Sequence, residues 1–452
     1  MADTHSPKVA VIGMGKTGLS VLRHLRRAHI GCECFDEAAV QLPQDLKDVV
    51  LHTGQLQEEV LLGFDKVIVS PGINWHHPAL VEARKAGVDV HGDLDEFLAE
   101  YTGTLITVTG TNGKTTATQM ITLLLETLSG GCDAGGNIGT PMLDLLADKQ
   151  PTRVALELSS FQLERAKRLH PHYAVLLNVQ PDHADMHESE QAYKAAKVSM
   201  FKQMIMGDTA LLPVEQEWQG LAEDLVARGV SVKRFGTMMR KHHDTVAGVL
   251  CHKSGDKIFW QQGDEQKAMP VSSLVVRGRH QQQNIAVAAQ VAADYGVSAA
   301  VIEEALMSFQ GLEHRLEFVG HIAGRDWYND SKATNPDAAI AALSSFAEVV
   351  WICGGLRKAL SLDGLVEVAK KHVRFACVIG EDSKAYEDML KQAGVPYKVS
   401  HTIKQAVLDA KDEGDCPVLL SPAAASQDQY KHYAERGADF IQNIRELGGA
   451  DD

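Results

Sequence analysis

The sequence predicts an α/β protein of three domains, each built on an open parallel sheet. Three observations predict this class. Short apolar runs rich in valine and isoleucine recur along the chain, and most are followed by a glycine turn and a helical pattern. Two of these turns have the spacing of phosphate-binding loops. A chain of 452 residues is also long enough for about three domains. We place the domains at residues 1–93, 94–311 and 312–452.

Composition narrows the class of protein. Lys and Arg number 44 against 59 Asp and Glu, and the resulting net charge of −15 argues against a nucleic-acid partner. The seven cysteines form no C-x-x-C pair, which is typical of reduced thiols in a cytoplasmic protein. The first residues lack a basic segment followed by an apolar one, and no apolar run reaches membrane-spanning length. We therefore expect a cytoplasmic protein without membrane insertion.

The first domain begins with a strand over Val9–Ile12 and the turn Gly13-x-Gly15-x-x-Gly18. A second strand ends at Asp36, so the region has the pattern of a Rossmann-like fold whose helix N-terminus faces a pyrophosphate. The ligand is either a nicotinamide dinucleotide or a uridine or other nucleoside diphosphate, and a purely structural turn is the alternative. The turn Ser70-Pro71-Gly72 follows another buried strand, at the edge where such sheets bind ligands.

The middle domain opens with a strand over 105–109, the turn Gly110-x-x-Gly113-Lys114-Thr115 and a helix over 117–126. This is a shortened form of the P-loop of ATPases, because Val108 stands where the full pattern has its first glycine. Glycines let backbone N–H groups approach phosphate oxygens. Lys114 is then expected to reach the β- and γ-phosphates, and the Thr115 hydroxyl to bind Mg²⁺.

Further polar groups follow in the middle domain. Glu157 interrupts an apolar strand, and its charge needs either Mg²⁺ or a structural ion pair as a partner. The loop at 180–187 is either a metal site or a polar surface loop, and it lacks the ligand spacing of zinc sites. A helix over 188–206 carries Lys197, which on residue pattern alone is expected to be solvated. Segments 248–251 and 257–261 predict a hairpin.

The third domain has strands at 349–355, 375–380 and 418–420, each a βα unit of a Rossmann-like parallel sheet. Polar clusters at 329–336 and 421–428 follow strands of this sheet, which is where a doubly wound fold binds its ligands.

Four motifs resemble the Mur ligase family, the ATP-dependent amino-acid-adding enzymes of bacterial cell-wall synthesis. They are Gly110-Thr-Asn-Gly-Lys-Thr-Thr116, Leu156-Glu-Leu-Ser-Ser-Phe-Gln-Leu-Glu164, Asn329-Asp-Ser-Lys-Ala-Thr-Asn335 and Leu420-Ser-Pro-Ala-Ala-Ala-Ser-Gln-Asp-Gln-Tyr430. The resemblance implies ligation of D-glutamate to UDP-N-acetylmuramoyl-L-alanine through an acyl phosphate, with release of ADP and phosphate. A sibling ligase that adds another amino acid is the alternative. A nicotinamide oxidoreductase and a P-loop switch or motor are more distant rivals.

The resemblance also implies the site residues. ATP would be bound by Gly110, Thr111, Asn112, Gly113, Lys114, Thr115, Thr116, Asn284, Arg315, Asp330 and Lys332. The UDP-linked substrate would be bound by Gly15, Lys16, Thr17, Asp36, Gly72 and Asn137, and D-glutamate by Thr334, Lys358, Ser426 and Tyr433. The ligands of Mg²⁺ would be Thr115, Glu157, His183 and Lys197, and the catalytic residues Lys114, His183 and Lys197.

Lys197 matches a lysine that the family carbamylates, a change that turns a cation into a carboxylate able to bind a second Mg²⁺. A functional role for Lys197 is therefore inferred from the resemblance alone and not from its position on a helix. It also implies a monomer acting on two small substrates.

The chain departs from the family pattern at two positions. Gln281 replaces the first asparagine of His-Asn-x-x-Asn, which would alter the contacts to adenine. Leu356 replaces the acid of Gly-Gly-Asp-x-Lys, which would leave Lys358 less restrained.

Overall fold

The computed structural model describes residues 7–137, 139–180, 187, 189–238, 245–251, 255–357 and 360–448. Its first sheet has five parallel strands in the order β3-β2-β1-β4-β5. The elements are β1 Val9–Ile12, α1 Lys16–Arg27, β2 Cys32–Asp36, β3 Val50–Thr53, β4 Lys66–Val69, α2 Pro78–Lys85 and β5 Asp89–Gly92.

The glycine turn before α1 is required by close packing. Gly13 has a φ of +90°, and a Cβ on Gly18 would lie 1.9 Å from the carbonyl oxygen of Gly13. Any larger residue at position 18 would therefore push the helix away from the turn. The predicted Rossmann-like first domain is confirmed.

The middle sheet has nine strands in the order β14-β13-β12-β11-β10-β9-β6-β8-β7. Its strands are β6 Thr104–Thr109, β7 Asp133–Gly136, β8 Arg153–Glu157, β9 Tyr173–Leu176, β10 Thr209–Pro213, β11 Ser231–Met238, β12 Thr245–Leu250, β13 Lys257–Gln262 and β14 Glu265–Pro270. The helices are α3 Asp93–Glu100, which leads into this domain, then α4 Lys114–Leu125, α5 Ser160–Arg165, α6 Glu190–Val198, α7 Gln219–Ala227, α8 Arg279–Asp294 and α9 Ala299–Ser308.

Two details of the middle domain differ from the sequence-based expectation. Strands β12, β13 and β14 pair antiparallel, so the predicted hairpin is confirmed but the sheet is not parallel throughout. The helix predicted over 188–206 is wrong in length, because α6 ends at Val198 and a single tight turn follows. The Ser199 hydroxyl donates to the carbonyls of Ala196 and Leu163, which favours a turn at this point over further helix.

The third sheet has six strands in the order β15-β16-β20-β17-β18-β19. They are β15 Glu317–Ile322, β16 Arg325–Asn329, β17 Val349–Gly354, β18 Val373–Ile379, β19 Tyr397–His401 and β20 Val418–Leu420, with α10 Pro336–Leu343, α11 Asp363–His372, α12 Ser383–Ala393, α13 Ile403–Ala410 and α14 Tyr433–Gly448. The doubly wound architecture is confirmed. Its first strand pair, however, is an antiparallel hairpin, so this sheet too is mixed.

The three units are in direct contact. One apolar core runs from Val9 and Leu22 in the first unit, through Leu94 on α3, to Leu105 and Leu158 in the middle unit. The Ser20 hydroxyl also donates to Asp144 at 2.7 Å. Burial of apolar side chains across the junction holds the first and middle units together. In the part of the chain that the structure describes, no helix is long and apolar enough to cross a membrane.

Candidate active site

The carboxylate of Glu157 lies where the middle unit meets the other two. Its side chain ends β8 and the residue is 2% exposed. The Thr115 hydroxyl donates to one carboxylate oxygen at 2.7 Å, and the Asn137 amide donates to the other at 2.9 Å. Arg315 of the third unit donates in turn to the Thr115 hydroxyl. The described partners of Glu157 are thus neutral donors, and the structural ion pair considered from sequence does not form among them.

This arrangement fits a magnesium ion. A threonine hydroxyl and a carboxylate, both hard oxygen ligands, lie within hydrogen-bonding distance of each other beside a phosphate-type turn. The described residues contain no group of three or more His, Cys, Asp and Glu that could hold a metal by themselves. Mg²⁺ suits such a partial site, since it keeps several waters and takes its other ligands from phosphates.

The turn over 110–116 is held by Asn178, which sequence reasoning missed. Its side-chain carbonyl accepts from the N–H groups of Thr111 and Asn112 at 3.1 and 2.9 Å, and its amide donates to the Asn112 carbonyl. Gly113 has a φ of +86°, and a Cβ there would lie 2.5 Å from the Asn284 amide. The turn is therefore fixed on both sides before any ligand binds.

Two lysine ammonium groups meet at this turn. Lys114 donates to the carbonyls of Gly110 and Thr111 at 2.8 and 2.9 Å. Lys197 donates to the same Gly110 carbonyl at 2.8 Å and lies 4.6 Å from the ring centroid of Tyr193. Lys197 is only 1% exposed, so the pattern-based expectation of a solvated side chain is wrong. The helical position carried no sign of this, because the Gly110 carbonyl that Lys197 contacts lies 87 positions earlier in the sequence.

A cavity of about 250 Å³ collects most of the residues predicted to bind ATP and the metal, together with Thr334 of those predicted for the amino acid. We call it the phosphate cavity. The predicted residues that line it are Thr111, Asn112, Gly113, Lys114, Thr115, Asn137, Glu157, Lys197, Arg315, Lys332 and Thr334. Gly110 and Thr116 lie in the same turn, and Thr116 is buried. The structure thus brings together side chains that are more than 200 positions apart in sequence.

A second cavity, of about 400 Å³, lies against the first unit, and we call it the first-domain cavity. All six residues predicted for the UDP-linked substrate line it, and Asn137 lines the phosphate cavity as well. Asp36 accepts hydrogen bonds from the N–H groups of Met14 and Ala38 at 2.7 and 2.9 Å. Its carboxylate therefore holds the glycine turn in place while facing the cavity.

A third, smaller cavity of about 180 Å³ lies in the seam between the middle and third units. Arg315, Gln281 and Tyr328 line this seam cavity. The side-chain carbonyl of Gln281 is buried and has no hydrogen-bond partner among the described residues. A buried acceptor without a partner is costly, so this group is suited to a ligand that brings a donor.

The predicted residues of the third unit lie at its strand ends. Lys332 stands 4.1 Å from the ring centroid of Tyr433. The Ser426 hydroxyl is buried without a partner among the residues that the structure describes. Asp330 accepts from the Ser421 hydroxyl and the Leu316 N–H at 2.9 and 3.2 Å, and burial raises the pKa of its carboxyl to about 7.

Arg436 is a further residue that sequence reasoning missed. Its buried guanidinium donates to the hydroxyl and carbonyl of Ser331 and to the carbonyls of Ala424 and Ala425. It therefore ties α14 to both polar clusters of this unit. An arginine in an amphipathic helix gives no signal of such a role. Near the departure from the family pattern at position 356, Asp382 accepts from the Arg357 N–H at 2.7 Å.

Two predicted site residues, His183 and Lys358, lie outside the described residues. The neighbouring His187 is described: its ring bonds the Ser160 hydroxyl at 2.9 Å and stacks on Phe161.

Comparison with protein families follows the same three units. Residues 7–92 match the model described as Mur ligase MurD-like, N-terminal domain. Residues 108–292 match the Mur ligase middle domain, and residues 314–423 the Mur ligase, glutamate ligase domain. The chain belongs to the Mur ligase family.

Three similar relatives have the same name. A UDP-N-acetylmuramoylalanine–D-glutamate ligase of Methylococcus capsulatus is 35% identical, over 97% of this chain and 95% of its own length. The enzyme of the same name from Koribacter versatilis is 33% identical, over 98% of this chain and 98% of its own length. That from Hahella chejuensis is 35% identical, over 97% of this chain and 98% of its own length.

Solved structures agree on the fold. A UDP-N-acetylmuramate-alanine ligase of Thermotoga maritima aligns with a TM-score of 0.60 at 17% identity, over 97% of this chain and 99% of that chain. A MurF ligase of the same organism, solved in complex with ADP, aligns with a TM-score of 0.60 at 17% identity, over 97% of this chain and 95% of that chain. At these identities the likeness shows a shared three-domain fold.

The raised pKa of Asp330 has a consequence for stability. The folded protein holds this proton more tightly than the unfolded chain, so the group's contribution is fully present below about pH 4 and is lost as pH rises through about 7. Asp330→Asn stays neutral throughout. Between pH 4.5 and pH 8 we expect the free energy of unfolding of this variant to rise relative to that of the wild type by about 3 kcal/mol. Urea unfolding at both pH values measures this, with Asp412→Asn, an exposed site, as control. An equal difference at both pH values would contradict the assignment.

Proposed function

We propose that the chain joins D-glutamate to UDP-N-acetylmuramoyl-L-alanine, with conversion of ATP to ADP and phosphate, in the synthesis of peptidoglycan precursors. The names of its relatives support this reaction. One structural observation carries it: Asn137 lines both the first-domain cavity and the phosphate cavity while bonded to Glu157. An acyl group and a phosphate would therefore meet at this residue. We place the enzyme in the cytoplasm as a monomer.

The first-domain cavity would hold the UDP-linked substrate. Gly15, Lys16 and Thr17 stand at the start of α1, where N–H groups and the helix dipole favour a diphosphate. Both Asp36 oxygens are already bonded to backbone, so its charge is partly compensated there. The opposite wall, from Asn137 to Gln162, belongs to the middle domain. A substrate bound here would point its carboxylate toward the phosphate cavity.

The turn over 110–116 would hold the ATP phosphates. Lys114 donates to two loop carbonyls, and phosphate oxygens are better acceptors for an ammonium. Thr115 and Glu157 would bind Mg²⁺, with His183 and a carbamylated Lys197 holding a second ion. The metal supplies charge neutralisation on the transferring phosphoryl group. Arg315 and Lys332, from the third domain, complete the cationic side of the cavity.

The seam cavity would take the nucleobase. Its unpaired Gln281 carbonyl suits the exocyclic amine of adenine, so the longer side chain at this departure from the family pattern keeps an acceptor in place. Asp330 lies next to the seam residue Leu316 and would accept from the ribose hydroxyls. Asn284 closes the turn beside Gly113.

The D-glutamate site would lie on the third domain. Thr334 lines the phosphate cavity, and the Ser426 hydroxyl is a buried donor still without a partner among the described residues. Hydroxyls with the cations Lys332 and Lys358 suit a dicarboxylate. Tyr433, beside Lys332, would form one wall.

The reaction then follows in two steps. The substrate carboxylate attacks the γ-phosphorus, the bond to the bridging oxygen of ADP breaks, and an acyl phosphate forms. The unprotonated amine of D-glutamate adds to the acyl carbon, loses a proton, and phosphate leaves as the amide forms. Lys114 and Arg315 stabilise the charge that develops on the phosphoryl oxygens. Contact among the three domains excludes water, which would hydrolyse the acyl phosphate.

A panel of amino acids tests the proposal. With UDP-N-acetylmuramoyl-L-alanine and ATP present, ADP should form when D-glutamate is added and not when L-lysine or meso-diaminopimelate replaces it. The reason is that the third-domain site presents cations and hydroxyls, which match a second carboxylate and not a second amine. ADP formation with a diamino acid alone would favour the sibling ligase. ADP formation without any amino acid or UDP-sugar would favour a switch or motor.

The carbamate at Lys197 makes a separate prediction. Lys197→Ala should lose nearly all ligase activity, because the second metal loses its carboxylate ligand, and added short carboxylates should restore part of it. Lys194→Ala is the matched control. Lys194 lies on the same helix but pairs with Glu217 at 2.6 Å on the surface. Full activity in Lys197→Ala, measured as ADP release, would remove the carbamate from the mechanism.

A further inference from the structure

Arg165 crosses the junction between the first and middle domains. It is the last residue of α5 and is only 2% exposed. Its guanidinium donates to the carbonyl of Ser70 at 2.6 Å and to that of Pro71 at 3.1 Å. It also donates to the carbonyls of Val69 and Ile73. One side chain of the middle domain therefore holds the whole loop that follows β4 in the first domain.

The loop that Arg165 holds is a wall of the first-domain cavity. Ser70, Pro71, Gly72 and Ile73 all line that cavity. Carbonyls of a loop do not converge on one point without a donor between them, because their dipoles repel. The guanidinium, with donors in a fixed planar fork, therefore fixes the shape of this wall.

Helix α5 also reaches the phosphate cavity. Ser160 and Phe161, in its first turn, line the phosphate cavity, and Gln162 lines the first-domain cavity. Ser159 caps the helix, and Glu157 lies two residues before it. A helix of six residues thus connects the bonded Glu157 carboxylate to the loop at 70–73. Movement of the Arg165 end would change the distance between the two cavities.

Two neighbours support the geometry. The ring of Trp75 has the Arg84 guanidinium 4.2 Å from its centroid and that of Arg165 at 5.3 Å, which fixes the far end of the loop. Asp93, a buried acid, interacts electrostatically with Arg165. A buried guanidinium bonded to carbonyls, and with a buried acid beside it, is costly to desolvate. A purely apolar contact would join the domains at lower cost.

We propose that Arg165 is a positioning residue of the ligase reaction: it sets the loop at 70–73 so that the acyl end of the UDP-linked substrate meets the γ-phosphate. This inference rests on the proposed function. Arg165 touches neither reacting group, and it acts through the carbonyls of the loop. Its loss should leave the turn over 110–116, on the other side of Glu157, intact.

The test compares Arg165→Met and Arg165→Lys with the wild type. We expect the Met variant to lower kcat on the order of 10- to 100-fold, since a displacement of about 1 Å costs that much. KM for the UDP-linked substrate should rise and the affinity for UDP alone should fall several-fold, while ADP affinity, measured by calorimetry, stays within twofold. The Arg165→Lys variant should retain part of the kcat that Arg165→Met loses, because an ammonium can still donate to some of the carbonyls. Added guanidinium at low millimolar concentration should partly rescue the Met variant.

Arg228→Met is the matched control. Arg228 also donates to three loop carbonyls, those of Phe201, Lys202 and Met204, but within the middle domain. The Arg228→Met variant should differ from the wild type in thermal stability but not in KM for the UDP-linked substrate. The inference would be overturned if Arg165→Lys lost ADP affinity and UDP affinity to a similar extent. It would also be overturned if UDP affinity and kcat were unchanged in both Arg165 variants. UDP affinity is read without catalysis, so an inactive wild type would count against the proposed function and leave this test intact.

Discussion

A buried carboxylate must have partners, and the partners that Glu157 finds determine how the molecule is arranged. Its strand, β8, lies inside the middle sheet, so the charge cannot reach bulk water. Thr115 and Asn137, from two different glycine turns, compensate it. Each turn is thereby fixed against the strand end. Arg315 reaches the same point from the third domain through the Thr115 hydroxyl.

The position of the cavities follows from that pairing. Because Asn137 is held to Glu157, the side chain that lines both the first-domain cavity and the phosphate cavity is fixed in place. Because Arg315 is held to Thr115, the third domain closes over the same turn. Three substrates can therefore approach one point from three domains. The strand ends supply the residues, as expected for parallel sheets.

Most of the fold could be predicted from the sequence because its signals are local. Strand, glycine turn and helix follow one another in each βα unit, and the loops at 13–18 and 110–116 lie where the pattern places them. The antiparallel ribbon β12–β14 was predicted only as its first hairpin, since pairing between strands is not local information. The end of α6 at Val198 was missed because a side-chain hydrogen bond from Ser199, and not a proline or glycine, ends the helix.

Some residues of the candidate site could be predicted and others could not, again because only local patterns can be read from the sequence. Residues in turns, such as Lys114 and Thr115, carry their own local pattern. The role of Lys197 could be inferred only from the family resemblance, since its hydrogen bond to the Gly110 carbonyl joins residues 87 positions apart in sequence. Asn178 and Arg436 act on backbone carbonyls and N–H groups, which any residue can offer, so no motif marks them. Asp36 lines the first-domain cavity with the other residues predicted for the UDP-linked substrate, but its hydrogen bond from the glycine turn has no signal in the sequence.

In the proposed reaction, a carboxylate from the first-domain cavity meets the phosphoryl group held at the turn over 110–116. Labelling that carboxylate with oxygen-18 shows whether they meet. If an acyl phosphate forms, the oxygen that attacked phosphorus leaves with phosphate, and mass spectrometry of the released phosphate should show label transferred in every turnover. Unlabelled phosphate, formed at the same rate as the amide, would contradict the arrangement described for Glu157, Asn137 and the two cavities.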